Sequence, residues 1–91
     1  IRIIEEVCSA YDTTESEIIT IRRGKRNEAR NAAIYIMRKV RRETLKEIGL
    51  QFEIDNDSTV STVIDRVKKK LESDKKMLNR LKGIEEKILT S

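Results

Sequence analysis

The stretch Thr44-Leu45-Lys46-Glu47-Ile48-Gly49-Leu50-Gln51-Phe52, then Glu53-Ile54-Asp55-Asn56-Asp57, then Ser58-Thr59-Val60-Ser61-Thr62-Val63-Ile64 decides the fold. Thr44 and Glu47 have the spacing of a capping box, in which a hydroxyl and a carboxylate each satisfy a backbone N–H at a helix start. The short helix started there buries Leu45, Ile48 and Phe52. Residues 53–57 are mostly acidic or amide and form a turn. Asp57 or Ser58 is placed to cap the next helix. Its apolar stripe, Val60, Val63, Ile64, Val67 and Leu71, repeats with helical period. A short helix, a turn and a second helix with a polar N-terminus, over about residues 44–72, outline a helix-turn-helix.

In that motif the second helix enters the major groove by its first residues. Here these are Asn56, Asp57, Ser58, Thr59, Ser61 and Thr62. They are small and polar, so the backbone can approach base edges. An Asn can pair with adenine, an Asp can accept from the cytosine amino group, and a Thr methyl can touch thymine. The free N–H groups of a helix start suit a phosphate. The competing reading is that 55–58 is only a turn and a cap.

Outward from this stretch, charge is segregated. The 91 residues carry 20 basic and 16 acidic groups, net +4. Residues 1–20 are net −4, 21–46 net +8, 47–65 net −5 and 66–91 net +5. Half of the basic residues fall within 22–46. Such clustering is the footprint of a polyanion binder; a solubilising basic face is the alternative.

The rest of the chain reads as helices, and the fold class is all-α. There is no Pro, and only Gly24, Gly49 and Gly83. Ile3, Ile4, Val7, Cys8 and Tyr11 give a first helix over about 1–11. Thr14 with Glu17 has capping-box spacing and opens a short helix to about 19. Residues 20–26 form a basic loop around Gly24. A longer helix over about 27–41 has the stripe Ala29, Ala32, Ala33, Ile36, Met37 and Val40. After the central motif, Ser73 or Asp74 starts a last helix with Met77, Leu78, Leu81, Ile84 and Ile88 inward. Gly83 weakens it by about 1 kcal/mol relative to Ala.

Composition excludes several function classes. Without His there is no His-based triad and no His-ligated zinc. One cysteine, Cys8, allows neither an internal disulfide nor a Cys-clustered metal site. No apolar run approaches the roughly 20 residues of a membrane span. Neither metal, cofactor nor membrane is expected, and no catalytic set is present. Tyr35 and Phe52 belong to the core, as does Cys8. With Tyr11 they are the only rings, so a single-strand stacking platform has little to build on. The start on Ile1 instead of Met reads as a fragment of a longer protein.

Over residues 4–89 the sequence resembles the C-terminal DNA-binding domain of the bacterial replication initiator DnaA. The resemblance rests on Ile4-Glu5-Glu6-Val7 and Tyr11, on Ala33-Ile34-Tyr35-Ile36, on Leu45-Lys46-Glu47-Ile48-Gly49, and on Phe52 followed by Thr59-Val60. It implies a six-helix, Trp-repressor-like module that binds double-stranded DNA, with a basic loop in the minor groove and a recognition helix in the major groove. By position, Arg22 is the implied minor-groove residue, with Arg23, Lys25 and Arg26 around it. Asn56, Asp57, Ser58 and Thr59 fall on the base-reading signature, and Arg38, Lys46 and Arg66 on backbone-contacting positions.

Where that family carries Arg-Asp-His, this chain has Asp55-Asn56-Asp57. Each good base contact is worth about 1–3 kcal/mol of discrimination, so a preference for the initiator's origin boxes is not expected. The segments Gly24-Lys25-Arg26-Asn27-Glu28-Ala29-Arg30-Asn31 and Ser58-Thr59-Val60-Ser61 with Val63-Ile64 resemble the copy of this domain at the C-terminus of IS200-like, REP-associated tyrosine transposases. That resemblance implies a DNA-targeting domain with catalysis in an upstream domain, in the bacterial cytoplasm at the nucleoid. Arg30 projects toward DNA, or pairs with Glu28 or Glu47. Asp57 reads a base or only caps. Lys68, Lys69 and Lys70 form a solvated face. A helical protein-interaction module, docking through the acidic first helix and the basic last one, is the competing function; attachment to acidic lipid ranks last.

Overall fold

The computed structural model describes residues 2–19 and 27–90. They form six helices: α1 (Arg2–Tyr11), α2 (Glu15–Ile19), α3 (Glu28–Val40), α4 (Leu45–Gln51), α5 (Asp57–Leu71) and α6 (Lys75–Thr90). Among the described residues there is no strand. The all-α, six-helix expectation holds.

Local chemistry sets the boundaries. The Thr14 hydroxyl accepts from the Glu17 amide at 3.3 Å, while the Glu17 carboxylate accepts from the Thr13 hydroxyl at 2.8 Å. Asn27 caps α3, its carboxamide oxygen accepting from the Arg30 amide at 2.9 Å. Asp74 accepts from the Met77 amide at 3.0 Å and starts α6. After α1 the chain reverses through Asp12 at φ +51°, with the Thr13 amide donating to the Cys8 carbonyl at 3.0 Å. This is the left-handed C-terminal turn that Asp tolerates better than most residues.

Helix α3 packs against each of the other five helices. Ala29, Ala32, Ala33, Ile34, Tyr35, Ile36 and Met37 are all buried on it. The expected stripe omitted Ile34 because a one-sided pattern was sought, whereas a central helix is apolar nearly all round. Ile3, Ile4 and Val7 of α1, Ile18 of α2, Ile48 and Phe52 at α4, Val60, Ile64 and Val67 of α5, and Met77, Leu81 and Ile84 of α6 complete the core. Cys8, Tyr11, Val40, Leu45, Val63, Leu71 and Ile88 pack half-buried at its edge. Burial, and then Glu15, raises the Cys8 thiol pKa, so the group stays protonated.

Candidate nucleic-acid interface

The α4–turn–α5 unit is built from short-range chemistry. At the start of α4 the Thr44 hydroxyl accepts from the Glu47 amide at 3.1 Å, and the Glu47 carboxylate accepts from the Thr44 amide at 2.8 Å. The capping box is complete, and these bonds lower the Glu47 pKa. At the other end the Ile54 amide donates to the Gly49 carbonyl at 2.8 Å, with Glu53 at φ +56°. This is a Schellman turn with a non-glycine residue in the left-handed region. A Cβ on Gly49 would sit 2.7 Å from the Ile54 carbonyl oxygen. The turn therefore closes tightly only over glycine, and the fully buried Phe52 ring anchors it to the core.

The start of α5 corrects one expectation. Neither Asp57 nor Ser58 caps the helix. Asn56 does, its carboxamide oxygen accepting from the Ser58 amide at 2.7 Å. Asp57 lies in the first turn of α5, where an acid complements the helix dipole. Asn56, Asp57, Ser58 and Thr59 are all exposed. Thr62 is exposed too, and its hydroxyl donates to the Ser58 carbonyl at 2.8 Å. Thr59, Thr62 and the exposed Arg66 stand at i, i+3 and i+7, so they share one face of α5.

The expected backbone contacts lie on both sides of α5. Arg38 is exposed, and one of its guanidinium nitrogens donates to the Glu43 carbonyl at 2.9 Å. It borders a groove shared with Tyr35, Lys39, Ile64 and Lys68. Lys39 pairs with Glu85 at 3.0 Å. Arg66 borders a separate groove with Glu28, Asn31, Val67, Lys70 and Met77. There Lys70 lies 3.4 Å from Glu28, so this lysine is tied to α3. Lys46 shares a depression with Leu50, Ile54, Asp55, Asn56 and Asp57. The sequence reading gave no role to Leu50, which is 74% exposed on that surface. Its signal was present, since it falls off the Leu45, Ile48, Phe52 stripe.

Arg30 is the clearest correction. It is 5% exposed and pairs with neither Glu28 nor Glu47. One guanidinium nitrogen donates to the Ile18 carbonyl at 2.9 Å and to the Ile19 carbonyl. The other donates to the Phe52 carbonyl at 2.7 Å. The guanidinium carbon lies 5.5 Å from the Phe52 ring centre. Burial lowers its pKa, yet a guanidinium keeps its charge in proteins, and the carbonyl oxygens solvate it. An arginine so committed and so buried presents little surface to DNA. The expected loop contacts Arg22, Arg23, Lys25 and Arg26 lie outside the described residues.

Acids crowd the tip. Glu53, Asp55 and Asp57 are exposed around the start of α5, with Asp65 further along it. They oppose phosphate approach, which Lys46 on α4 and Arg66 on α5 favour. Among the described residues no group of three or more His, Cys, Asp or Glu is placed to hold a metal ion. Nor is any described helix long and apolar enough to cross a membrane.

No solved structure matches this chain. The sequence model of the bacterial DnaA protein helix-turn-helix matches residues 1–67, which take in α1 to α4 and most of α5. The match stops short of α6, although Met77, Leu81 and Ile84 of that helix close the core. With an intact capping box, a glycine-dependent turn and an exposed polar tip on α5, the chain belongs to the DnaA helix-turn-helix family of DNA-binding domains.

Proposed function

We propose that this domain binds double-stranded DNA sequence-selectively, with the start of α5 in the major groove and the 20–26 basic segment as a second contact. The observation that carries the reading is the exposed face of Thr59, Thr62 and Arg66 on the second helix of a DnaA-type helix-turn-helix. Asn56, Asp57, Ser58 and Thr59 read bases, Arg38, Lys46 and Arg66 hold phosphates, and Arg22, Arg23, Lys25 and Arg26 supply the second contact. Two base-discriminating positions at about 1–3 kcal/mol each are enough for selectivity.

The parent in this reading is transposase-like, with catalysis in an upstream domain and the nucleoid as the working place. The resemblance of 24–31 and of 58–64 to transposase-borne copies supports it, as does Asp55-Asn56-Asp57 in place of Arg-Asp-His. A replication initiator is the alternative parent. The exposed acids Glu53, Asp55 and Asp57 favour one further reading, a protein-docking module.

Selection from a random duplex library at physiological salt, followed by anisotropy titration, tests all of these. An enriched motif bound about a thousandfold more tightly than random duplex establishes direct reading. Its affinity should fall with log salt at a slope of about −4 to −6. A motif identical to the initiator's origin boxes transfers the domain to that parent. No binding above the polyelectrolyte background, with a protein partner retained after nuclease treatment, replaces the reading with the docking module.

A further inference from the structure

Three cations from two helices gather around one carboxylate. Glu28, in the first turn of α3, lies 3.4 Å from the Lys70 ammonium of α5 and 4.0 Å from the Arg80 guanidinium of α6. Arg66, one turn before Lys70, borders the same groove beside the buried Val67 and Met77. Three positive charges therefore face one negative charge. Both contacts are long and their partners partly exposed, so each pair is weak and exchangeable. Around the groove, residues 66–82 carry eight basic and two acidic side chains, and the Asp74 carboxylate is occupied in capping α6.

The corner also has supports that do not depend on the Glu28 pairs. Arg80 lies over the Tyr11 ring, its guanidinium carbon 4.7 Å from the ring centre. The Tyr11 hydroxyl is buried and makes no hydrogen bond among the described residues. Burial, and then Glu28, raise its pKa. It thus keeps a proton that the carboxylate can accept when it turns away from the cations.

We propose that this groove seats one phosphate of the duplex backbone, held by Arg66, Lys70 and Arg80, and that Glu28 is the internal counter-ion it displaces. Arg66 stands seven residues, about 10 Å of helix, beyond Thr59. A major groove is about 12 Å wide. With Thr59 at the base edges, Arg66 and the groove beside it therefore come to the phosphates at the rim. A lipid surface fits less well, because the exposed large apolar side chains among the described residues are Leu50 and Leu89, neither of which borders this groove. Exchange of one anion for another lowers affinity for every duplex without reading sequence. The proposal rests on the DNA-binding reading, but Lys70 and Arg80 lie beyond the family match over 1–67.

The test is a cycle of charge-removing variants of the whole chain, each shown by circular dichroism to keep its helix content. Glu28→Gln should tighten binding to the selected duplex about fivefold, the scale of releasing two exposed ion pairs. Lys70→Gln with Arg80→Gln should weaken binding and flatten the salt slope by about 0.9, the mark of one lost phosphate contact. In that background Glu28→Gln should bring no gain. Glu86→Gln removes an exposed acid further along α6 and should leave affinity within about twofold, because salt screens charges that touch no phosphate. No gain from Glu28→Gln, an equal gain from Glu86→Gln, or a gain from Glu28→Gln in both backgrounds overturns the proposal.

A second measurement leaves Glu28 intact. Single methylphosphonates, each removing one backbone charge, are walked along the selected duplex. One position should weaken binding by the native chain and leave the Lys70→Gln, Arg80→Gln chain unaffected; the absence of any such position overturns the seat. If the duplex binds while both tests are flat, the DNA reading stands and the seat falls. If neither the native chain nor Glu28→Gln binds duplex above the polyelectrolyte background, both fall.

Discussion

Helix α3 carries Arg30 and helix α5 carries Arg66 among the cations that the sequence offers to DNA, and the fold treats these two oppositely. Helix α3 is packed by the other five helices, so Arg30 on it is buried and bonded to backbone carbonyls. Helix α5 buries one face only, so Arg66, Lys68 and Lys69 on it stay exposed. The lesson is that an arginine's role is decided by the face of the helix it occupies, since Arg38 on the same α3 is exposed. A basic run in the sequence counts charges without telling struts from contacts.

The sharpest way to break this comparison is to truncate one arginine on each helix. Arg30→Ala leaves the Ile18, Ile19 and Phe52 carbonyls without their donor, and should cost about 3 kcal/mol or more. By thermal unfolding that is a fall of more than about 10 °C in Tm for a domain of this size. Arg66→Ala should leave stability within about 0.5 kcal/mol while weakening duplex binding. If the two variants unfold alike, the division between strut and contact is wrong.

The next effect sharpens the turn that joins α4 to α5. Gly49→Ala places a methyl 2.7 Å from a backbone oxygen, and should cost about 1–3 kcal/mol in a chemical denaturation series. Gly83 is the counter-case, because a Cβ there meets nothing within 4 Å. Gly83→Ala should therefore raise stability by about 1 kcal/mol. A loss at Gly83 would mean that this face of α6 is covered in solution.

At the tip of α5, capping and base reading can be separated. Asn56→Ala should cost about 1 kcal/mol of stability and also change sequence preference. Asn56→Asp keeps the accepting oxygen toward the Ser58 amide but removes the amide donor. It should hold Tm and still alter the preferred sequence in a repeat of the duplex selection. If Asn56→Asp leaves that sequence unaltered, Asn56 is a cap alone.

The smallest effect is in the pH dependence. The Thr44 amide holds the Glu47 carboxylate ionised, so the folded pKa lies below the unfolded one. The stabilisation is then complete above the ordinary glutamate range and is lost as pH falls through the lowered folded value. Glu47→Gln should remove this acid-side slope from a Tm-against-pH curve; an unaltered slope would assign it to other carboxylates.

Much of the fold was legible in the sequence because its cues are local. The Thr44–Glu47 box, the Asp74 cap, the absence of Pro and the stripes of α1, α5 and α6 each act within one or two turns. Less of the site was legible. Asn56 and Asp57 are adjacent polar residues, and which of them caps depends on backbone angles that composition does not encode. Asn27 was read only as the start of a helix, because its bond to the Glu17 carbonyl spans ten positions. Arg30 was read as a free cation or a salt-bridge partner, because its acceptors are carbonyls, which every residue carries and no sequence pattern marks.

The sequence by itself determined that the chain is helical, that its helix-turn-helix lies near residues 44–72, and that its cations and acids are segregated into blocks. Those properties follow from spacing, capping chemistry and charge counts, which are fixed before any long-range contact forms. Only the tertiary structure decided that α3 is the central helix, that Gly49 sits against the Ile54 carbonyl, and that Arg30 bridges the ends of α2 and α4. The last two depend on groups 5 to 22 positions apart and the first on helices further apart still, all brought together when the helices pack and exclude water.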